Sequence, residues 1–180
     1  MPFQCACLGG AKIALTEEDV GVIRDATTSD LDSISALAEQ RRADYERAQP
    51  QFWRRAVNAV DEHRPWLAAS VDDPEVVTLV SCHEDDEVTG YLFATIVSAP
   101  PVYDPGGPTG LIDDFSVNSP EHWASVGVEL LAEARDRLAS RGVSQLVVVC
   151  GHHDQPKRAA LLGTRFSIAS EWFVQPVSGT

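Results

Sequence analysis

Hydrophobic positions along this chain recur with two different periods. A short β-branched run, Val20–Ala26, predicts a first strand. In TSDLDSISALAEQRR the period becomes helical: Leu31, Ile34, Leu37 and Ala38 recur on one face, behind Ser29 as N-cap and Asp32 in the first turn. A second helical region over 44–63 is interrupted at Pro50, whose ring does not fit a helix interior. Tyr45, Phe52, Trp53, Val57 and Val60 give that region an apolar face suited to packing on a sheet.

From residue 75 the alternation points to strands. EVVTLVSCH and EVTGYLFATIV flank the acidic turn Glu84-Asp85-Asp86, which reads as a hairpin. SAPPVYDPGGPTG then forms a rigid surface connection, and LIDDFSV (111–117) a further strand. The clearest helix follows from Trp123, with Val126, Leu130, Leu131, Ala134 and Leu138 on one face and Gly142 as its stop. SQLVVVC is continuously apolar, as expected of a strand covered on both faces. A short helix N-capped by Asp154 and a closing alternating strand, SIASEWFVQPV, complete the order β-α-α-β-β-β-α-β-α-β. The expected class is mixed α/β: an irregular leader at 1–19, then one domain over 20–177.

Charge narrows the function classes. The formal net charge is −13, with no Lys/Arg cluster longer than Arg41-Arg42 or Arg54-Arg55. Nucleic-acid binding needs a basic stripe, so it is not expected. No apolar run approaches the roughly 18 residues of a membrane helix, and the start of the chain lacks the features of a signal peptide. Four scattered cysteines lack metal-ligand spacing, so reduced thiols, no metal and a cytoplasmic location are expected.

LIDDFSVNSPEHWASVG, residues 111–127, combines a strand, a short loop and a helix start, where unpaired backbone N–H groups and the helix dipole favour an anion. Val117 and Gly127 stand ten residues apart, with His122 and Ser125 between them and Leu130-Leu131 beyond. This spacing and the element order resemble motif A of the GNAT N-acetyltransferase superfamily, V-x-x-x-x-R/Q-x-x-G-x-G/A followed by a leucine-rich helix. The resemblance covers about residues 20–176 and places His122 at the Arg/Gln position, Ser125 at the first glycine and Gly127 at the second. It implies a central, mostly antiparallel sheet with helices on both faces and a strand that splays from its neighbour. It also implies acetyl-CoA as co-substrate, with backbone groups of Phe115 and Val117 on the pantetheine arm. The amides of Trp123, Ala124, Ser125, Val126 and Gly127 would face the pyrophosphate.

Asp113 and Asp114 precede that valine, as the Glu-Asp pair does in diamine-acetylating members of the superfamily, and on a regular strand they point to opposite faces. Either is a candidate to accept the proton of an attacking primary amine; the alternative is a carboxylate that only caps a turn or bonds a loop amide. By the resemblance the superfamily's tyrosine acid falls near Leu161, where no tyrosine stands, leaving Tyr91, Tyr103 and Cys150 as stand-ins. His152 and His153 follow the apolar strand, where they would line a site or simply belong to a loop. Lys157 and Arg158, near the start of the short last helix, could approach the CoA phosphates or form a solvated basic face. The implied activity is acetyl transfer to the amine of a small molecule or peptide. The alternatives are a non-catalytic acyl-CoA-binding sensor or module of the same fold, and an unrelated α/β interaction domain that forms a homodimer through its last strands.

Overall fold

The computed structural model describes residues 21–83 and 85–177, so the leader at 1–19 lies outside the described residues. Among the described residues, five strands form one sheet in sequential order: β1 (Val22–Asp25), β2 (Val77–Cys82), β3 (Val88–Val97), β4 (Thr109–Val117) and β5 (Gln145–Val148). The first four pair antiparallel, and β5 runs parallel to β4. α1 (Leu31–Ala48) and α2 (Ala59–Asp72) cover one face, while α3 (Val126–Ser140) and α4 (Gln155–Gly163) cover the other.

Alternation on the central strands sorts the core into two layers. Val80, Cys82, Tyr91 and Phe93 face α1 and α2, where Ile34, Ala38 and Leu67 bury fully. Val77, Leu79, Leu92, Ala94, Ile112 and Phe115 face the other way and meet Leu130, Ala134 and Leu138 of α3. One irregularity decides where charge can go. Phe93 pairs with Asp114 and Ala94 pairs with Ile112, so Asp113 is an extra residue bulged out of β4. The bulge changes the side-chain parity: Ile112 and Phe115, three apart, both point into the α3 layer. Asp114 therefore points into the α1–α2 layer, and Asp113 is exposed. In a regular strand Asp114 would share the face of Ile112 and enter the largely apolar α3 layer, where burying a carboxylate is costly.

Several expectations change. The stripe of α1 continues through Arg41 and Tyr45 to Ala48, and α2 starts only at Ala59 and runs through Pro65, which lies on its exposed side. Ser29 is not the cap of α1 but part of a 3-10 turn, Thr28–Asp30, in which Asp30 accepts the Thr27 N–H at 2.7 Å and pairs with Arg24 at 2.8 Å. The aromatic face of 44–63 does not pack on the sheet: Trp53 sits against Tyr45 and Phe52, Phe52 meets Trp172, and Val57 is exposed. The third helix begins at Val126, after a 3-10 turn over Pro120–Ala124.

β5 is a four-residue edge strand with alternate residues exposed, rather than one covered on both faces. The closing strand is absent, because no backbone hydrogen bond joins residues 167–177 to a neighbouring edge among the described residues. Alternating side chains give a strand preference, but only a paired edge makes a strand stable, and Trp172 and Phe173 stay exposed. Asp154 caps α4 as expected, accepting the Lys157 N–H at 3.2 Å.

The parity argument is open to test by urea denaturation. Deleting Asp113 forces either Ile112 or Asp114 onto the wrong face, with an expected loss of at least about 3 kcal/mol. Asp113→Ala keeps the bulge and alters only an exposed side chain, so its unfolding midpoint should stay within about 0.5 kcal/mol of the parent.

Candidate functional site

Asp114 is the buried charge around which a site can be built. Its side chain is 7% exposed, and donors from three elements reach it. Arg41 Nη2, on α1, lies 2.8 Å from Oδ1, and the Tyr91 hydroxyl, on β3, donates to the same oxygen at 2.5 Å. His63 Nε2, on α2, lies 2.5 Å from Oδ2. Burial alone would push this carboxyl upward. The hydrogen bond from His63, the charge of Arg41 and the Tyr91 hydroxyl outweigh it and hold Asp114 at about 2. Asp114 is thus a fixed anion at neutral pH.

Helical spacing brings these partners in. Arg41 follows Ile34, Leu37 and Ala38 on the buried stripe of α1, and its aliphatic stem lies along that stripe while its head reaches β4. Its Nη1 donates to the carbonyls of Asp113 (3.0 Å) and Phe115 (3.3 Å). His63 stands one turn before Leu67, on the face of α2 that points to the sheet, and stacks on Trp66 at 5.5 Å and 14°. Arg41, Arg42, His63, Trp66, Asp113 and Asp114 line a cavity of about 260 Å³. A recess of about 620 Å³ around Pro50 is lined only by surface residues such as Glu46 and Arg54, and no buried charge faces it.

On the opposite face, β4 parts from β5 just past Ile112, whose carbonyl accepts the Val149 N–H at 2.9 Å, the last bond of that ladder. Lys157, on α4, is fully buried there. Its Nζ donates to the Phe115 carbonyl at 3.2 Å and lies 4.8 Å from the Phe115 ring and 5.1 Å from that of Trp123. Burial, reinforced by the charge of Arg41, pulls this ammonium down to about 8. The Phe115 carbonyl is therefore bonded by cations from both faces of the sheet.

The loop after β4 is a compact 3-10 turn. The His122 N–H bonds to the Ser119 carbonyl and the Ser125 N–H to the His122 carbonyl. His122 Nδ1 lies 2.6 Å from Asn118 Oδ1. Trp123 is folded inward against Phe115 and over Gly127, where an added Cβ would lie 2.7 Å from the indole. Ala124 is exposed, whereas Ser125, Val126 and Gly127 are buried at the start of α3. The N–H groups of Val126 and Gly127 have no backbone acceptor among the described residues. Val117 lies at the C-terminal end of β4, paired with Gly90.

Of the acid stand-ins, Tyr91 is committed to Asp114, Tyr103 is exposed on the proline-rich loop, and burial raises the Cys150 thiol to about 11. His152 and His153 are exposed and meet edge to face rather than joining the Asp114 cluster. Arg41 and His63 were not singled out in the sequence as site residues. Their signal is a polar residue at i+3 or i+4 on an otherwise buried stripe, which for Arg41 extends the pattern of Ile34, Leu37 and Ala38.

Solved structures share this architecture. A tetramutant of a Bacillus halodurans protein matches with a TM-score of 0.74 at 15% identity, covering 87% of this chain and 99% of that one. A predicted acetyltransferase of Clostridium acetobutylicum, solved with acetyl-CoA, matches with a TM-score of 0.67 at 13% identity over 87% and 96% of the two chains. A GCN5-related N-acetyltransferase of Ralstonia eutropha matches with a TM-score of 0.64 at 19% identity over 88% and 99%. In sequence, the chain matches no family model and no curated protein. Its fold is that of the GCN5-related N-acetyltransferases, a mixed sheet flanked by helices on both faces.

Two pH experiments check the charges. The depressed Asp114 adds stability that is complete above its unfolded value near ~4 and is lost as pH falls toward about 2, worth about 2 kcal/mol. Asp114→Asn should cost roughly 3–5 kcal/mol at pH 7 by leaving Arg41 unpaired, a gap that narrows by about 2 kcal/mol between pH 5 and pH 2. Lys157 runs the other way: the unfolded chain binds its proton more tightly, so stability should rise from about pH 8 to the lysine reference of 10.5. Lys157→Met should raise the urea midpoint at pH 7 and flatten that rise.

Proposed function

We propose that this protein transfers an acetyl group from acetyl-CoA to a primary amine. The observation that carries the reading is the parting of β4 from β5 beyond Ile112, in a fold shared with acetyltransferases, directly ahead of a helix start with free amides. In this reading the pantetheine arm runs along the freed edge of β4, with backbone groups of Phe115 and Val117 as its partners. The loop from His122 to Gly127 faces the pyrophosphate, chiefly through the amides of Val126 and Gly127. Lys157 and Arg41 must yield their hold on the Phe115 carbonyl, or share it, when the arm is seated.

The amine enters the cavity beside Asp114, on the α1–α2 face. Asp113, exposed at its rim, attracts the protonated amine, and Asp114 belongs to the machinery that removes its proton. No described helix is long and apolar enough to cross a membrane, and a cytoplasmic location with small-molecule partners fits this chemistry.

A second reading, acyl-CoA binding without turnover, draws on one observation. Leu161, near which the superfamily's tyrosine acid would fall, is buried in the α3–α4 core.

Acetyl-CoA should raise the melting temperature saturably, and an amine panel should release free thiol at a rate proportional to enzyme. No shift at millimolar acetyl-CoA would overturn both readings; a shift without thiol release would favour the second.

A further inference from the structure

Resting on that acetyl-transfer reading, we infer that His63 is the residue that takes the proton from the attacking amine, with Asp114 as its positioning residue. Four observations on the α1–α2 face converge. Asp114 is unsuited to hold the proton itself, because both its oxygens are occupied at 2.5–2.8 Å by Arg41, Tyr91 and His63. Its contact with His63 falls on Nε2, so an ionised carboxylate makes Nε2 the protonated nitrogen and leaves the Nδ1 lone pair as acceptor. Nδ1 has no hydrogen-bond partner among the described residues, and the His63 side chain is 17% exposed where it lines the cavity. The ring is held by its stack on Trp66 and lines the cavity with Arg41, the residue that also grips the freed edge of β4.

The proton balance follows from this geometry. His63 Nδ1 accepts the proton that the bound ammonium gives up, and the imidazolium formed is stabilised by the Asp114 carboxylate at Nε2. The neutral amine nitrogen forms its bond to the acetyl carbon as the C–S bond of the thioester breaks, and the second proton that this nitrogen loses as the amide forms passes to solvent. The thiolate leaves with that electron pair and is protonated by water, and His63 returns its proton to solvent. Tyr91 and Arg41 keep Asp114 ionised and aimed, so they act on the reaction only through it. The other charges facing His63 are Arg42 and Asp113, which line the same cavity.

Two measurements test the assignment. Side-chain 15N correlation spectra of the full chain, with His63→Gln used to assign the signal among five histidines, should show neutral His63 as the Nε2–H tautomer, a preference lost in Asp114→Asn. An Nδ1–H tautomer would overturn the inference whatever the activity. In steady-state thiol release, His63→Ala should lower kcat about 100-fold or more, leave the acetyl-CoA melting shift intact, and regain activity with added imidazole. Unchanged turnover in both His63→Ala and His63→Gln would sink the role of His63 while leaving acetyl transfer standing. A wild-type chain that binds acetyl-CoA yet acetylates no amine would overturn the transfer reading and this inference together.

Discussion

A carboxylate placed at 7% exposure loses most of its hydration, and the α1–α2 half of this molecule is arranged to replace it. Asp114 draws one donor from each of α1, α2 and β3, so its ion pair and hydrogen bonds tie two helices to the centre of the sheet. Each donor has to arrive in register: Arg41 along the stripe of α1, His63 one turn before Leu67, and Tyr91 on the same face of β3 as Phe93. Removing any one leaves the others partly unpaired in a place that water scarcely reaches. Such clusters are costly to leave half satisfied, which makes this one a constraint on geometry more than a source of net stability.

The bulge at Asp113 is the backbone feature that allows the cluster. By changing parity it sends Asp114 to the polar side while Ile112 and Phe115 stay in the α3 layer. It falls next to the point where β4 leaves β5, so the change of face and the loss of a neighbour occur within a few residues. Past that point the β4 carbonyls that face away from β3 lack a ladder partner, and an unpaired buried carbonyl is unfavourable. Arg41 and Lys157 supply the missing donors from opposite faces. Lys157, the donor from the α4 side, is itself fully buried.

What was legible in the sequence was what periodicity encodes. The element order through the short last helix, the Asp154 cap, the hairpin and the buried stripe of α3 all follow from spacing and turn chemistry. The closing strand was misread because alternation in SIASEWFVQPV describes a side-chain preference, whereas a strand needs an edge to pair with. The burial of β5 was misread because a run of valines does not say whether anything covers its outer edge. Asp113 and Asp114 could be singled out as a pair, but their faces could not be assigned, since a one-residue bulge leaves no mark in a single sequence. Arg41 and His63 were missed for a related reason: each reads as an ordinary helix charge until the sheet shows what it faces.

The sheet thus separates two kinds of chemistry and joins them at one atom. Titratable groups gather on the α1–α2 face, around Asp114 and its cavity. The freed edge of β4, the amides that open α3 and the Phe115–Trp123–Lys157 stack lie toward the α3–α4 face. The Phe115 carbonyl is where they meet, 3.3 Å from Arg41 and 3.2 Å from Lys157. Arg41 has one nitrogen on that carbonyl and another on Asp114, so a ligand competing for the strand edge pulls on the same guanidinium that keeps Asp114 ionised. Two strongly interacting groups in a low-dielectric site do not respond independently. Displacing Arg41 from the strand edge would therefore be felt at Asp114 through one side chain.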